Sequence, residues 1–334
     1  MDEDSWDELA PLESAMPVSS RRHWASRLRS KKFLAILYIL LIFIILGSRQ
    51  ILLRAQETNS QIKADLLTAQ NFIFQAALGH DSERLDLLLS ESDMQWRYLQ
   101  RVLMRRSLLF DRGPLNLWLD QQALSQQLAG KTLPSELALS PDLTTAELTT
   151  PLPYLTQTPD GSIDHLILNH VSHYAYDGIQ WRQVPPATGY WGPTESYNGQ
   201  MITLDYPARD AEISRHLALA LDDHFLALCL LEPAVKCASL PYIHVTFSVD
   251  SEAFLPLSRP VQGNRFWIFG DRMAAGDTFE ISLPTPSLVG LPRSTQDRQF
   301  MLNGYANWLL TSYLTRKHPH LSFEHIDRLL GDLN

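Results

Sequence analysis

Histidines are the first candidates for chemistry in this chain of 334 residues. His165, His170 and His173 fall close together, and three imidazoles are a donor set that zinc accepts. The residues around them alternate as a β-strand, and on a strand the trio cannot converge. His165 and His173 share a face about 26 Å apart at ~3.3 Å per residue, and His170 points to the other face. We read them as sheet-surface histidines. His318, Pro319, His320, Glu324 and His325 form a second cluster, in which residues two apart can converge, but it sits in a tail segment and reads as solvated surface. His216 and His224 lie ~12 Å apart by helical rise, too far for a shared ion. No His-Glu-x-x-His occurs, so the helical zinc-hydrolase pattern is missing. Gly130-Lys131-Thr132 ends like a phosphate-binding loop, but Ser125 stands where its first glycine belongs. Ser60-Gln61-Ile62-Lys63 matches Ser-x-x-Lys without the companion motifs, and no Gly-x-Ser-x-Gly is present. The residues therefore assign no catalytic, cofactor-binding or metal-binding position.

Charge and hydropathy are more decisive. Residues 1–16 hold six acids and no base, and residues 17–32 hold six bases and no acid. The tail sums to zero, so the net charge of −9 lies in the rest of the chain. An acidic body argues against nucleic acid as its partner, because phosphate binding needs concentrated Lys and Arg. Phe33 to Leu46 is an unbroken apolar run followed by Gly47 and Ser48. Sixteen helical residues cover about 24 Å, short of a hydrocarbon core of roughly 30 Å. Lys32 and Arg49 can snorkel, and Ile51–Leu53 can lengthen the buried stretch. More basic residues precede the run than follow it, which orients the N-terminus inward. A cleaved signal peptide would begin basic and end in a small-x-small site, and a soluble helix would have a polar face. The expectation is a single-pass membrane protein with a cytoplasmic tail and an extracytoplasmic body.

The tail itself places Trp6, Leu9, Leu12 and Met16 among acids, a spacing that suits a short helix docking on a basic groove of a cytoplasmic protein. The alternative is a solvated, disordered tail.

The body reads as α+β. Gln50–Leu78 has helical periodicity, Gly79-His80-Asp81-Ser82 interrupts it, and two shorter helices follow, the second running to about Arg106. Strands are expected at Pro134–Leu139, Ala146–Tyr154, Ile163–Tyr176 and Trp181–Val184, separated by Pro/Asp/Gly turn signals. A second set comprises a strand at Met201–Tyr206, a helix from Asp210 to Leu231, strands at Tyr242–Ser248, Phe266–Phe269 and Thr278–Ser282, and helices at Arg298–Leu314 and Phe323–Leu330. The expected organisation is a tail at 1–32, a membrane helix at 33–48, a stalk at 49–65, domains at 66–189 and 190–315, and a C-terminal tail at 316–334.

The two cysteines, Cys229 and Cys237, flank a turn between the 210–231 helix and the strand from Tyr242. Pro233 stops the helix at the residue before it, and the reversal lets the two thiols meet at disulfide spacing. In an oxidising compartment we expect them bonded; the alternative is a pair of buried free thiols.

Several runs resemble uncharacterised bacterial single-pass membrane proteins. They are Leu109-Phe110-Asp111-Arg112-Gly113-Pro114-Leu115, Leu137-Ala138-Leu139-Ser140-Pro141-Asp142-Leu143 and Tyr190-Trp191-Gly192. The resemblance implies a first domain with the cone-shaped nuclear transport factor two-like fold. For the second it implies a domain similar in element order to the gluzincin metallopeptidases of the peptidase-MA type. The Tyr206-Pro207 strand end, the 210–231 helix and His244-Val245-Thr246-Phe247-Ser248 fit that order. The helix that should carry the zinc motif instead reads Phe300-Met301-Leu302-Asn303-Gly304-Tyr305-Ala306-Asn307-Trp308-Leu309, with neither His nor Glu. A relative of that family would thus have lost its metal. Phe72, Phe74, Trp96, Trp118, Tyr154, Tyr174, Tyr176 and Trp181 are the aromatics that would line a cone pocket, or fill its core. The expected function is non-enzymatic binding or sensing by a membrane-anchored extracytoplasmic module, relayed through the acidic tail. The alternative is a cell-envelope hydrolase with a non-standard active site.

Overall fold

The computed structural model describes residues 31–130, 134–158, 160–231, 242–258, 278–317 and 321–333. Trp6, Leu9, Leu12, Met16, Cys237, His318, His320 and the Phe266–Phe269 strand lie outside them. The chain divides into two compact units, Met1–Ile62 and Lys63–Asn334.

Unit 1 is described as the first part of a 48-residue helix, α1 (Lys31–Leu78). Every large apolar side chain from Ile36 to Leu46 is exposed, between 38% and 70%. Ser48 returns its hydroxyl to the carbonyl of Ile45 at 2.9 Å, which satisfies it without solvent. Among the described residues no helix is long and apolar enough to cross a membrane; within the apolar stretch, side chains are described for residues 35–50.

Unit 2 opens on the last turns of α1, where the pattern changes. Leu66, Gln70, Ile73 and Phe74 are buried, the three-to-four spacing of a helix lying on a core. Two short helices follow, α2 (Ser82–Leu88) and α3 (Met94–Arg105), each started by an aspartate that accepts a backbone N–H, Asp81 from Arg84 and Asp93 from Trp96, both at 2.9 Å. Then come β1 (Trp118–Leu119), α4 (Gln121–Gly130) and the strands β2 (Glu136–Leu139), β3 (Thr145–Gln157), β4 (Ile163–Tyr176) and β5 (Trp181–Val184).

The centre of this antiparallel sheet is the β3–β4 hairpin, paired from Thr145↔Ala175 to Gln157↔Ile163. Its tip is the Thr158–Ser162 turn, where Gly161 takes φ +84°. Leu166, Leu168, His170, Ser172 and Tyr174 share the buried face of β4. His170 is therefore not the sheet-surface histidine expected from the sequence. Its even-numbered neighbours are apolar and carry it into the core.

A second sheet has the order β6 (Thr194–Asn198), β7 (Ile202–Pro207), β8 (Tyr242–Ser248), β9 (Thr278–Pro284). The first pair is antiparallel and the other two are parallel. Parallel neighbours need a crossover, and α5 (Ala211–Leu231) begins the one between β7 and β8, burying Ile213, Leu217, Leu221, Phe225 and Leu228 along one stripe. Asp222 on the same helix accepts the backbone N–H groups of Gln200, Met201 and Ile202 at 2.8, 2.7 and 3.2 Å. That carboxylate fixes the turn entering β7.

The segment after β9 knits the two sheets together. After β9 the chain makes α6 (Pro286–Val289) and β10 (Leu291–Pro292), and β10 pairs with Leu168 and Asn169 of β4. The buried Asp210 accepts from Thr285 Oγ1 at 2.5 Å and from both the N–H and the hydroxyl of Ser287. Tyr305 donates to the carbonyl of Pro284 at 2.7 Å. Tyr305 belongs to α7 (Thr295–Lys317), and the chain ends in α8 (Phe323–Leu333). The stretches 66–189 and 190–315 thus carry one sheet each, apart from β10, within a single compact unit.

Candidate functional site: an aromatic cleft

A cleft of about 630 Å³ runs beside α3. That helix turns Gln100, Leu103 and Met104 into the core and lines the cleft with Gln95, Tyr98, Leu99 and Val102. The facing wall is the turn Val249–Leu255, set by Asp250, whose Oδ1 accepts the N–H of Glu252 at 2.8 Å. Pro185, Pro186 and Trp191 line it too, as does Leu288 of α6.

Trp191 is held by a stack. The Tyr190 ring meets Trp191 edge-on at 4.9 Å and His173 edge-on at 4.4 Å. The Arg209 guanidinium sits 3.8 Å from the Tyr190 centroid and reaches Glu147 at 3.3 Å. Burial, and then Glu147, push the Tyr190 phenol up to about 12. Burial, and then Arg209, depress His173 to about 4. The Tyr190-Trp191-Gly192 run is the part of the sequence that builds this wall, with Gly192 at φ +70°.

Beneath the cleft lies a smaller chamber of about 100 Å³ that shares Trp96, Pro186, Ser251 and Leu288 as walls. It is lined by Gln100, Arg112, His170, His173 and Gln183. His170 Nε2 is 2.8 Å from the Tyr154 hydroxyl, and that hydroxyl donates to the Phe110 carbonyl at 2.6 Å. Burial, reinforced by Arg112, holds His170 neutral, down to about 3, and burial raises Tyr154. Arg112 is 3% exposed and forms no ion pair among the described residues. It donates instead to the carbonyls of Leu108, Leu109, Asp111 and Leu288, with Phe254 4.0 Å from its guanidinium carbon. Only its Nε lacks an acceptor.

Burial keeps the His170 and His173 rings neutral and the Tyr154 phenol protonated. The cleft offers aromatic faces, prolines and carboxylates.

A separate groove of about 450 Å³ beside the hairpin tip is lined by Asn116, Gln157, Phe300, Asn303 and Asn307. It includes the α7 segment that stands in the expected place of the zinc helix. Among the described residues no group of three His, Cys, Asp or Glu is placed to hold a metal ion.

Of the aromatics named from the sequence, Phe74, Tyr154, Tyr174 and Trp181 are core, Phe72, Trp118 and Tyr176 are exposed, and only Trp96 reaches the cleft. Cys229 lies in the last turn of α5, half-buried. Sequence reasoning missed Tyr98, Asp250 and Glu252. The available signal was Asp250-Ser251-Glu252 after a strand, a short helical start with its own cap.

No protein-family model, curated protein or solved structure matches this chain.

Proposed function

We propose that the protein is a single-pass, membrane-anchored binding module with a cytoplasmic N-terminus and an extracytoplasmic body that captures its ligand in the aromatic cleft. The observation that carries the anchor is the unbroken series of exposed apolar side chains from Ile36 to Leu46 on α1. A water-facing helix does not present apolar residues on every side. Phe33, Leu34 and Ile51–Leu53 flank this stretch and supply the length that the sixteen residues 35–50 lack. Binding is supported by the cleft's aromatic lining. Helices leading into a long antiparallel hairpin sheet support the nuclear transport factor two-like assignment. The β7–α5–β8 order supports descent of the second part from a peptidase-MA-like domain. The acidic tail would then relay occupancy to a cytoplasmic partner.

Cysteine-accessibility labelling of intact cells tests the topology. A reporter cysteine at the C-terminus should react with an impermeant maleimide, and one at residue 10 should not. A protected C-terminus overturns the orientation, and recovery of the body free of the membrane overturns the anchor.

A further inference from the structure

We propose that the ligand of this cleft is an extended, positively charged peptide, an inference that rests on the binding reading above. Three features of the cleft point to the same occupant.

The first is the character of its walls. Trp96, Tyr98 and Trp191, with Pro185 and Pro186, offer flat apolar faces rather than a closed pocket, and Tyr98 is 56% exposed. Grooves of this kind dock extended proline-containing chains, whose conformation is already restricted before binding.

The second is charge. Among the described residues, Asp93, Asp250 and Glu252 line the cleft against one base, Arg106. Asp93 and Asp250 each spend Oδ1 on a backbone N–H, of Trp96 and Glu252. Those bonds hold the carboxylates in place, and among the described residues Oδ2 of each accepts no hydrogen bond. Acids alone would be a solvated rim. Acids beside aromatic faces favour a Lys or Arg, which the rings attract through their π faces and the carboxylates through charge.

The third is length. Asp93 and Arg106 bracket α3 and stand thirteen residues apart, ~20 Å by helical rise. An extended peptide at ~3.1 Å per residue covers that distance with about six residues. The inner chamber fits this ligand less well: it is too small, and the guanidinium of Arg112 in its wall is already engaged by four carbonyls.

Fluorescence anisotropy on the full chain in detergent micelles tests the assignment. The probes are a labelled nine-residue Lys-Pro-Pro repeat and its Glu-Pro-Pro counterpart. The basic peptide should bind at least tenfold more tightly, and its affinity should fall as salt rises. Trp191→Ala and Tyr98→Ala should each weaken it about tenfold with the thermal unfolding midpoint little changed. The double variant Asp250→Asn, Glu252→Gln should erase most of the preference, which separates the cleft from the acidic residues 1–16 as the source of attraction. Equal affinity for both peptides, still dependent on Trp191, would overturn the charge assignment and leave the binding cleft standing. Basic-peptide binding that ignores Trp191, Tyr98, Asp250 and Glu252 would place the site elsewhere. Failure of both peptides to bind would reject a peptide ligand.

Discussion

The imidazole of His170 and the phenol of Tyr154 lie face to face at 5.7 Å between centroids, with Nε2 of one 2.8 Å from the hydroxyl of the other. Both are buried in the sheet beneath the cleft. Burial is the main cause that depresses His170 to about 3 and, separately, His173 to about 4.

That burial predicts an acid-sensitive fold. In the unfolded chain both histidines take up protons near pH 6.5, and in the folded protein they do so only near pH 3 and 4. Between these limits the unfolded state binds more protons, so stability is full above about pH 6.5 and falls as pH drops toward 4. Each group contributes a slope of about 1.4 kcal/mol per pH unit in that window. Urea unfolding of the full chain in micelles, measured from pH 7.5 to 4.5, should show the loss. His170→Gln retains a hydrogen-bonding amide without a titrating ring and should remove about half of the slope. An unchanged slope in that variant would mean that His170 is not the group being protonated.

Gly304 supplies a second prediction. It faces the 3₁₀ turn Gly113–Leu115, and a Cβ added there would lie 2.2 Å from the backbone oxygen of Leu115. A carbonyl in a turn cannot swing aside as a side-chain tip can. Gly304→Ala should therefore destabilise the body by about 1–3 kcal/mol, the usual cost of overpacking. Gly47, with nothing within 4 Å of an added Cβ, serves as the control, and Gly47→Ala should leave the urea midpoint unchanged. Matching midpoints for the two variants would show that α7 does not approach Leu115 so closely.

Some of this architecture was legible and some was not, for physical reasons. The β3–β4 hairpin could be read because its residues alternate and Pro159-Asp160-Gly161 marks its turn, and Ile163–Tyr176 and Tyr242–Ser248 have the bounds expected. Helix α4 was missed because it buries only Leu124 and owes its start to Asp120, whose carboxylate accepts the N–H of Ala123. Strand β6, Thr-Glu-Ser-Tyr-Asn, is a polar edge strand with no buried residue to mark it. β10 is two residues long and includes a proline, so only tertiary pairing with β4 reveals it. The cleft draws on α3, the 185–191 loop, the 249–255 turn and α6, four segments that no local pattern connects. For His170 the signal was present: Leu166, Leu168 and Tyr174 share its parity, and that face is the core.

The cysteines supply the last prediction. Cys229 stands two residues before the end of α5 at Leu231, and seven residues separate it from Cys237. β8 runs parallel to β7, and α5 begins the crossover between them. A bond between the two thiols would tie the C-terminal end of α5 to the approach of β8. The closed ring is short, so the chain-entropy gain is on the order of 2–3 kcal/mol. We expect mass spectrometry after alkylation without reductant to find neither cysteine modified in protein recovered from the membrane. Reduction should expose both and lower the urea midpoint. Alkylation of both thiols before reduction would show that no bond forms, and would count against the extracytoplasmic placement of the body, since an oxidising compartment closes such pairs when geometry allows.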